Sequence, residues 1–473
     1  MAGRPNGHPP SRPSLISQGS NSVPTTPHQR PRRGFAPSSR SPSPRAGLSG
    51  GHSPRSVVSE MAMPSASMLP NGRPVCKYEG RLAYNRRRMQ YDIGDKPLDP
   101  PEKEPKKTLD PKEDKKLSGD MRELYDRLLP TEESEKRRQD FVQKIEQILF
   151  KEWPGFEFKV HVFGSSGNML CTSDSDVDLC IQTDMKELES MHILAAALDR
   201  YGMERVYCIQ AKIPIVKVWD PEYQLAADLN VNNPLALENT RMIKTYVQID
   251  ERVRPMAMII KYWTRQRILN DASHGGTLSS YAWICLIINF LQIRNPPILP
   301  SLHLRDHKPY VATDGTESGF NDNLDELRNF GKANTSSLGD LIFQFFRFYA
   351  FEFKYEESVV SPRNGRVLTR KEKGWTMNTK DGYPRFCIEE PFNTSRNLGN
   401  SLDDTAFRGI HMELREAFTH ICNSKVDKMV ELYEFPAEEK PIFKKAPTMP
   451  KPKLSAGPAP GSRKNGSVRA NRN

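Results

Sequence analysis

The spacing of apolar residues changes along this chain, and each change marks a segment. Through about residue 70 there is no period: Ser, Pro, Gly and Arg dominate, and too little apolar surface is present to offset the entropy of ordering, so disorder is expected. Helical spacing begins near Leu117, where Met121, Leu124, Leu128 and Leu129 recur up to Pro130. It resumes after Thr131, whose TEES sequence has a capping-box pattern, and runs through Phe141, Val142, Ile145, Ile148 and Leu149 toward Trp153-Pro154. Short strand-like runs follow at Phe158 to Phe163, Val177 to Gln182, Arg205 to Ile209, Lys212 to Trp219 and Tyr223 to Val231. They are interrupted by an amphipathic helix, Met185 to Tyr201, ended by Gly202. From Pro234 the period is helical again, over Asn239 to Asp250, Pro255 to Asn270, Leu278 to Arg294, Leu338 to Phe351 and Asp403 to Asn423.

This order predicts a small α/β domain with one mixed sheet over residues 131–232 and a mostly helical second domain over 117–130 and 233–440. Disordered basic tails, 1–116 and 441–473, flank them, and the cleft between the two lobes is the place for a ligand. Lys103 to Lys116 alternates basic, acidic and proline residues and reads as a solvated tether, as does the segment with Arg86, Arg87 and Arg88; the competing reading is a nuclear address. Thr26, Ser41, Ser43 and Ser53 precede prolines and are candidate phosphorylation sites, against an unmodified linker. The basic stretch Tyr355 to Trp375 reads as a mobile hairpin or a loop facing a polyanion.

The chemistry concentrates in FGSSGNMLCTSDSDVDL, Phe163 to Leu179. Asp176 and Asp178 stand i, i+2, so a strand projects both from one face, and paired carboxylates are hard ligands suited to Mg²⁺. Upstream, Gly164-Ser165 forms a turn whose N–H groups and hydroxyl suit an anion. Surface loops often carry such Asp and Ser residues, so a third carboxylate decides the matter. Asp228 lies inside the strand-like YQLAADLNV, where an acid among apolar neighbours calls for a partner.

The formal charge of +11 among 473 residues favours a polyanionic partner, although solubility alone also accounts for it. Seven scattered cysteines without a CxxC pair read as reduced thiols, which points to a cytoplasmic, or else nuclear, protein. No apolar signal segment opens the chain, and the longest apolar run, Tyr281 to Leu291, is too short to span a bilayer, so no membrane association is expected.

Taken together, Gly164-Ser165, SDVDL, ADLNVNNPLALENT (227–240), IIKYWTRQRILN (259–270), GGTLSSYAW (275–283) and IEEPFNTSRNLG (388–399) resemble the polymerase-beta nucleotidyltransferase superfamily, in its branch of noncanonical poly(A) polymerases and terminal uridylyltransferases. The resemblance covers about residues 120–430. It implies a nucleotidyltransferase fold with a helical poly(A)-polymerase-associated domain, and two Mg²⁺ or Mn²⁺ ions held by Asp176, Asp178 and Asp228 for transfer from a ribonucleoside triphosphate to an RNA 3′ end. By the same resemblance Gly164, Ser165, Lys261, Arg265 and Ser280 meet the triphosphate, Tyr281 stacks on the base, Asn239 and Thr240 meet the ribose, and Asn233 reaches the base edge. Each has a plainer alternative: a turn serine, a solvated basic face, a core tyrosine. Uridylyltransferases of this type carry His where this chain has Arg396, and an acid where it has Asn393. Arg396 offers only donors, suited to uracil or cytosine oxygens, and Glu390 offers an acceptor to the cytosine amine. Use of UTP and CTP is therefore expected, as in fungal enzymes that add mixed tails. The alternatives are an ATP-using poly(A) polymerase and a catalytically weak RNA-binding scaffold. Lys212, Lys217, Arg363, Arg366, Arg370 and Lys371 are candidate RNA-backbone contacts. No further RNA-recognition signature appears, so adaptor proteins or the tails are expected to choose targets for a monomeric enzyme.

Overall fold

The structure is a computed structural model that describes residues 98–433 except 210, 212, 273–275, 313, 314, 316, 377–385 and 403. The candidate phosphorylation sites, the Arg86 to Arg88 cluster, Lys212, Gly275 and the 441–473 tail lie outside the described residues.

Helix α1 (Pro111–Leu128) starts six residues before the expected point. Asp110 accepts from the Lys112 and Glu113 N–H groups, Glu113 bonds back to the Asp110 N–H, and Pro111 supplies the helical φ of the first turn. The last residues of the expected tether are therefore a helix start, not tail. Ahead of it, Lys106 and Lys107 carbonyls accept from Arg347 and Gln344, and the Asp99 carbonyl from Arg415. Helix α2 (Glu132–Glu152) is capped by Thr131, which accepts from Ser134 N–H. The TEES sequence places a serine, not an acid, at the third helical position, so the reciprocal half of the box is missing.

Strands β1 (Lys159–Phe163) and β2 (Val177–Gln182) pair antiparallel. The expected Met185 to Tyr201 helix is divided: a 3₁₀ turn, Lys186–Glu189, is separated by extended Ser190 from α3 (Met191–Arg200), and Gly202 at φ +86° reverses the chain. Strands β3 (Glu204–Ile209), β4 (Ile215–Asp220) and β5 (Leu225–Val231) complete a mixed sheet in the order β1-β2-β5-β4-β3, with β2 and β5 parallel. Alternation divides its faces. Leu179, Ile181, Val216, Val218, Ala227 and Leu229 join Phe141 and Ile145 of α2 and Leu194 and Leu198 of α3 in one core. Asp178, Asp228 and Lys217 belong to the opposite face.

The second lobe contains α4 (Pro234–Ile249), α5 (Val253–Gln266), α6 (Ser280–Gln292), the single turn α7 (Leu324–Leu327) and α8 (Leu338–Arg347), which ends in a π turn, Phe348–Glu352. Hairpin β6 (Ser358–Ser361) and β7 (Arg366–Thr369), short helix α9 (Arg370–Lys373) and β8 (Cys387–Ile388) make a small sheet, followed by α10 (Asp404–Cys422) and α11 (Val426–Met429). Leu117, Met121, Leu124 and Leu128 of α1 share the core of this lobe, whose centre is the edge-to-face packing of Trp263 on Trp283 and Phe346 at 5.5 and 4.9 Å. Every residue of α6 is buried, and no helix among the described residues is long and apolar enough to cross a membrane. The basic 355–375 segment packs here as a hairpin. Arg370 is buried and donates to the Tyr355 carbonyl, and Arg363 donates to that of Pro391, so neither is a free phosphate contact.

Candidate active site

The register of three strands builds the acidic centre. Asp178 on β2 lies opposite Asp228 on β5, and Asp228 lies opposite Lys217 on β4, so two carboxylates and an ammonium form one row across the sheet. Asp176 enters the same face one strand period before Asp178. Asp178 and Asp228 are buried at 3% and 5% exposure. Burial, and then the Asp228 charge, pushes the Asp176 carboxyl up to about 6 and the Asp178 carboxyl well above the carboxylate range. Lys217 Nζ lies 2.5 Å from Asp228 Oδ1 and also bonds Oδ2. Burial works against this ammonium most, but the Asp228 and Asp176 charges and the hydrogen bond to Asp228 together outweigh it, and the Lys217 pKa is raised.

A bend covers this row. Gly164 at φ +67° donates its N–H to Thr240 Oγ1 at 2.8 Å, and a Cβ on it would stand 2.2 Å from Asp178 Oδ2. Thr240 in turn donates to the Ala236 carbonyl at 2.8 Å, so α4 holds the bend. From α5, Lys261 Nζ donates to Ser165 Oγ at 2.8 Å and to the Leu170 carbonyl at 3.2 Å, and burial lowers its pKa to about 8. One turn on, Arg265 Nη2 pairs with Asp174 Oδ2 at 2.9 Å, which gives that loop aspartate a partner. From α2, fully buried Arg138 donates to the Thr172 and Ser173 carbonyls at 3.2 and 2.8 Å. The loop leading to Asp176 is thus fixed from both lobes.

Beside the bend opens a cleft lined, among others, by Gly164, Ser165, Asn233, Asn239, Thr240, Lys261, Ser280 and Tyr281. Arg265, Glu390 and Arg396 are not in that lining. Glu390 stands behind Tyr281: the Tyr281 hydroxyl lies 2.8 Å from Glu390 Oε1 and 2.9 Å from Asn239 Oδ1, with one proton to give. The other Glu390 oxygen accepts the N–H groups of Phe392 and Asn393. Its acceptors are therefore spent on Tyr281 and its own turn, and the structure makes it a support for that ring, not an edge that reads a base. Arg396 sits near Glu390, half buried, with Nε lacking a hydrogen-bond partner.

Among the described residues no three His, Cys, Asp or Glu side chains form a closed metal-ligating group. Asp228 is instead engaged by the Lys217 ammonium, a monovalent cation at the place a hard divalent ion suits. The donors fit such an ion: Asp178 and Asp228 are buried side by side, and the pKa values of Asp176 and Asp178 are raised, which a cation would reverse.

Known proteins match this chain along both lobes. Residues 117–248 match the model of the mitochondrial-like poly(A) RNA polymerase central palm domain, and 337–396 match the Cid1 family poly A polymerase model. Terminal uridylyltransferase cid1 of Schizosaccharomyces pombe is 30% identical over 348 residues, 70% of this chain and 82% of that protein. The chain belongs to the Cid1 family of poly(A) polymerases and terminal uridylyltransferases. Poly(A) RNA polymerase cid13 of the same yeast is 43% identical over 369 residues, and the chain spans 63% of that relative's length while 76% of the chain is covered. Solved structures of the Cid1 poly(U) polymerase, one holding MgATP and one the short product ApU, superpose with a TM-score of 0.60 at 29% identity, over 67% of this chain and 99% of theirs. The Cid1-like nucleotidyltransferase fold of this chain follows. One participant escapes the sequence reading: Arg138, in the run KRRQD, looks like any solvated helix charge. Lys217, expected as an RNA-backbone contact, gains its place beside Asp228 only through strand pairing.

Proposed function

We propose that this member of the Cid1 family is a template-independent RNA 3′-terminal nucleotidyltransferase that joins pyrimidine nucleotides from UTP and CTP to RNA ends. The observation that carries the reading is the in-register pair Asp178 and Asp228 beneath the Gly164 bend, a bend that itself lines a cleft with Ser165, Lys261 and Tyr281. Asp176, Asp178 and Asp228 would hold two Mg²⁺ or Mn²⁺ ions, which would supply charge neutralisation for the transfer. The side chains do the rest. Ser165, Lys261 and Ser280 hold the triphosphate, with Arg265 reaching it once released from Asp174. Tyr281, braced by Glu390 and Asn239, presents its face to the base, and Asn233 lies within the same lining. The RNA 3′-hydroxyl oxygen forms a bond to the α-phosphorus and gives up its proton to solvent as the bond from that phosphorus to pyrophosphate breaks. Arg396, outside that lining and with a buried, unpartnered Nε, is the donor we assign to uracil or cytosine oxygens, reached by a shift of its side chain as nucleotide binds. The 43% identity to a poly(A) polymerase favours a second reading, use of ATP. We place the enzyme in the cytoplasm or nucleus, as a monomer directed by adaptor proteins.

Purified protein offered each nucleotide separately with a short RNA primer decides between the readings. Extension with UTP and CTP is expected, and Arg396→His is expected to lower CTP use relative to UTP by about tenfold, one lost hydrogen bond's worth. Extension with ATP alone would remove the pyrimidine claim and leave the adenylation reading.

Lys261 adds a pH signature. Its pKa is lowered to about 8, so the free enzyme loses this charge as pH rises through 8. The ratio kcat/KM for nucleotide is expected to fall above about pH 8, and Lys261→Arg, which stays charged, is expected to flatten that limb.

A further inference from the structure

Three carboxylates share this face, and the structure already contains a cation for them. Lys217 is fixed on β4 directly opposite Asp228, its ammonium bonds both Asp228 oxygens, and its side chain is only 19% exposed, against 7% for Asp228. A divalent ion on the same edge of that carboxylate would stand about 2.1 Å from the oxygens, inside the position of Nζ. Two cations so close repel strongly where little water screens them. Four methylenes let the ammonium swing away, whereas the carboxylate is held by its strand.

Resting on the nucleotidyltransferase reading above, we propose that Lys217 is a built-in counter-ion that occupies Asp228 in the metal-free enzyme and is displaced when a divalent cation binds there. Lys217 is in this sense a positioning residue. It keeps the acidic row folded and balanced before nucleotide arrives, and it makes the cation at Asp228 the harder one to load. Lys217 bonds both Asp228 oxygens, and its charge also reaches Asp176 and Asp178, so the ammonium contests Asp228 most and the first ion is seated more readily at the other two. Filling the centre is then ordered, with the Asp228 side last.

Mn²⁺ titrated into the full-length, nucleotide-free protein, with free Mn²⁺ read by EPR, tests the proposal without catalysis. Lys217→Met is expected to bind Mn²⁺ about tenfold more tightly than the parent, a modest share of the repulsion removed, and Lys217→Arg to resemble the parent. Arg265→Gln removes a neighbouring cation that is bonded to Asp174 instead, and is expected to tighten binding much less. Equal tightening in Arg265→Gln and Lys217→Met, or none in Lys217→Met, overturns the proposal. Should Lys217→Met not fold, the parent protein still decides: acylation of Lys217, read by mass spectrometry, is expected to be slow in EDTA and several-fold faster in Mn²⁺. Unchanged labelling overturns the proposal. A parent that extends RNA while failing these tests loses only the counter-ion; one that neither binds Mn²⁺ nor extends RNA loses both the counter-ion and the function.

Discussion

Asp178→Asn is expected to reduce nucleotide incorporation at least about 10³-fold, because a metal-held charge is worth several kcal/mol to the transition state. The same change is expected to leave the protein in EDTA with a melting temperature equal to or above that of the parent. The two outcomes have one cause. Asp178 is almost fully buried, faces Asp228 in register and follows Asp176 on the same face. Its negative charge is therefore a cost to the metal-free fold, which the raised pKa expresses, and asparagine keeps the shape while removing that cost. Primer extension and thermal unfolding with and without Mg²⁺ check it. Stabilisation by Mg²⁺ is expected to shrink in the variant, since fewer ligands bind the native state. Retained activity, or a fall in melting temperature in EDTA, would mean that Asp178 serves the fold and not the ion.

How much of this was legible beforehand depends on distance along the chain. The strand Val177–Gln182 is readable because a period of two acts within six residues, and the alternation that turns Asp178 away from the core face is local. The end of α3 at Gly202 was readable for a similar reason. The partners of Asp228 were not. Its contact with Asp178 joins strands fifty residues apart, and that with Lys217 depends on the register of a third strand, which no local period encodes. Lys217 and Arg370 looked like phosphate contacts because burial of a basic residue leaves no mark on its neighbours in sequence. Glu390 looked like a base reader because the turn that consumes its oxygens is visible only in three dimensions. The early start of α1 is written plainly in Asp110, Pro111 and Glu113: the composition of this charged, proline-bearing stretch suggests a tether, but its capping positions specify a helix start.

Gly164→Ala approaches the same centre through the backbone. At φ +67° an alanine costs about 1 kcal/mol in conformation alone. Its Cβ would also stand 2.2 Å from Asp178 Oδ2 and 3.1 Å from the carboxyl carbon, so either the bend or the aspartate must move. Neither has room: the bend is bonded to Thr240, and Asp178 belongs to a central strand. A displacement of about 1 Å at reacting groups costs on the order of 10²-fold in rate. The expected result is such a loss in kcat together with about 1–3 kcal/mol of stability. Gly202→Ala separates the two contributions, because Gly202 has φ +86° but nothing within 4 Å of its would-be Cβ. That variant is expected to lose stability by backbone strain alone and to keep its rate per folded molecule. If both variants retained the parental kcat, the contact between the bend and Asp178 would have no part in setting the catalytic carboxylate, and the bend would be only a connection between β1 and β2.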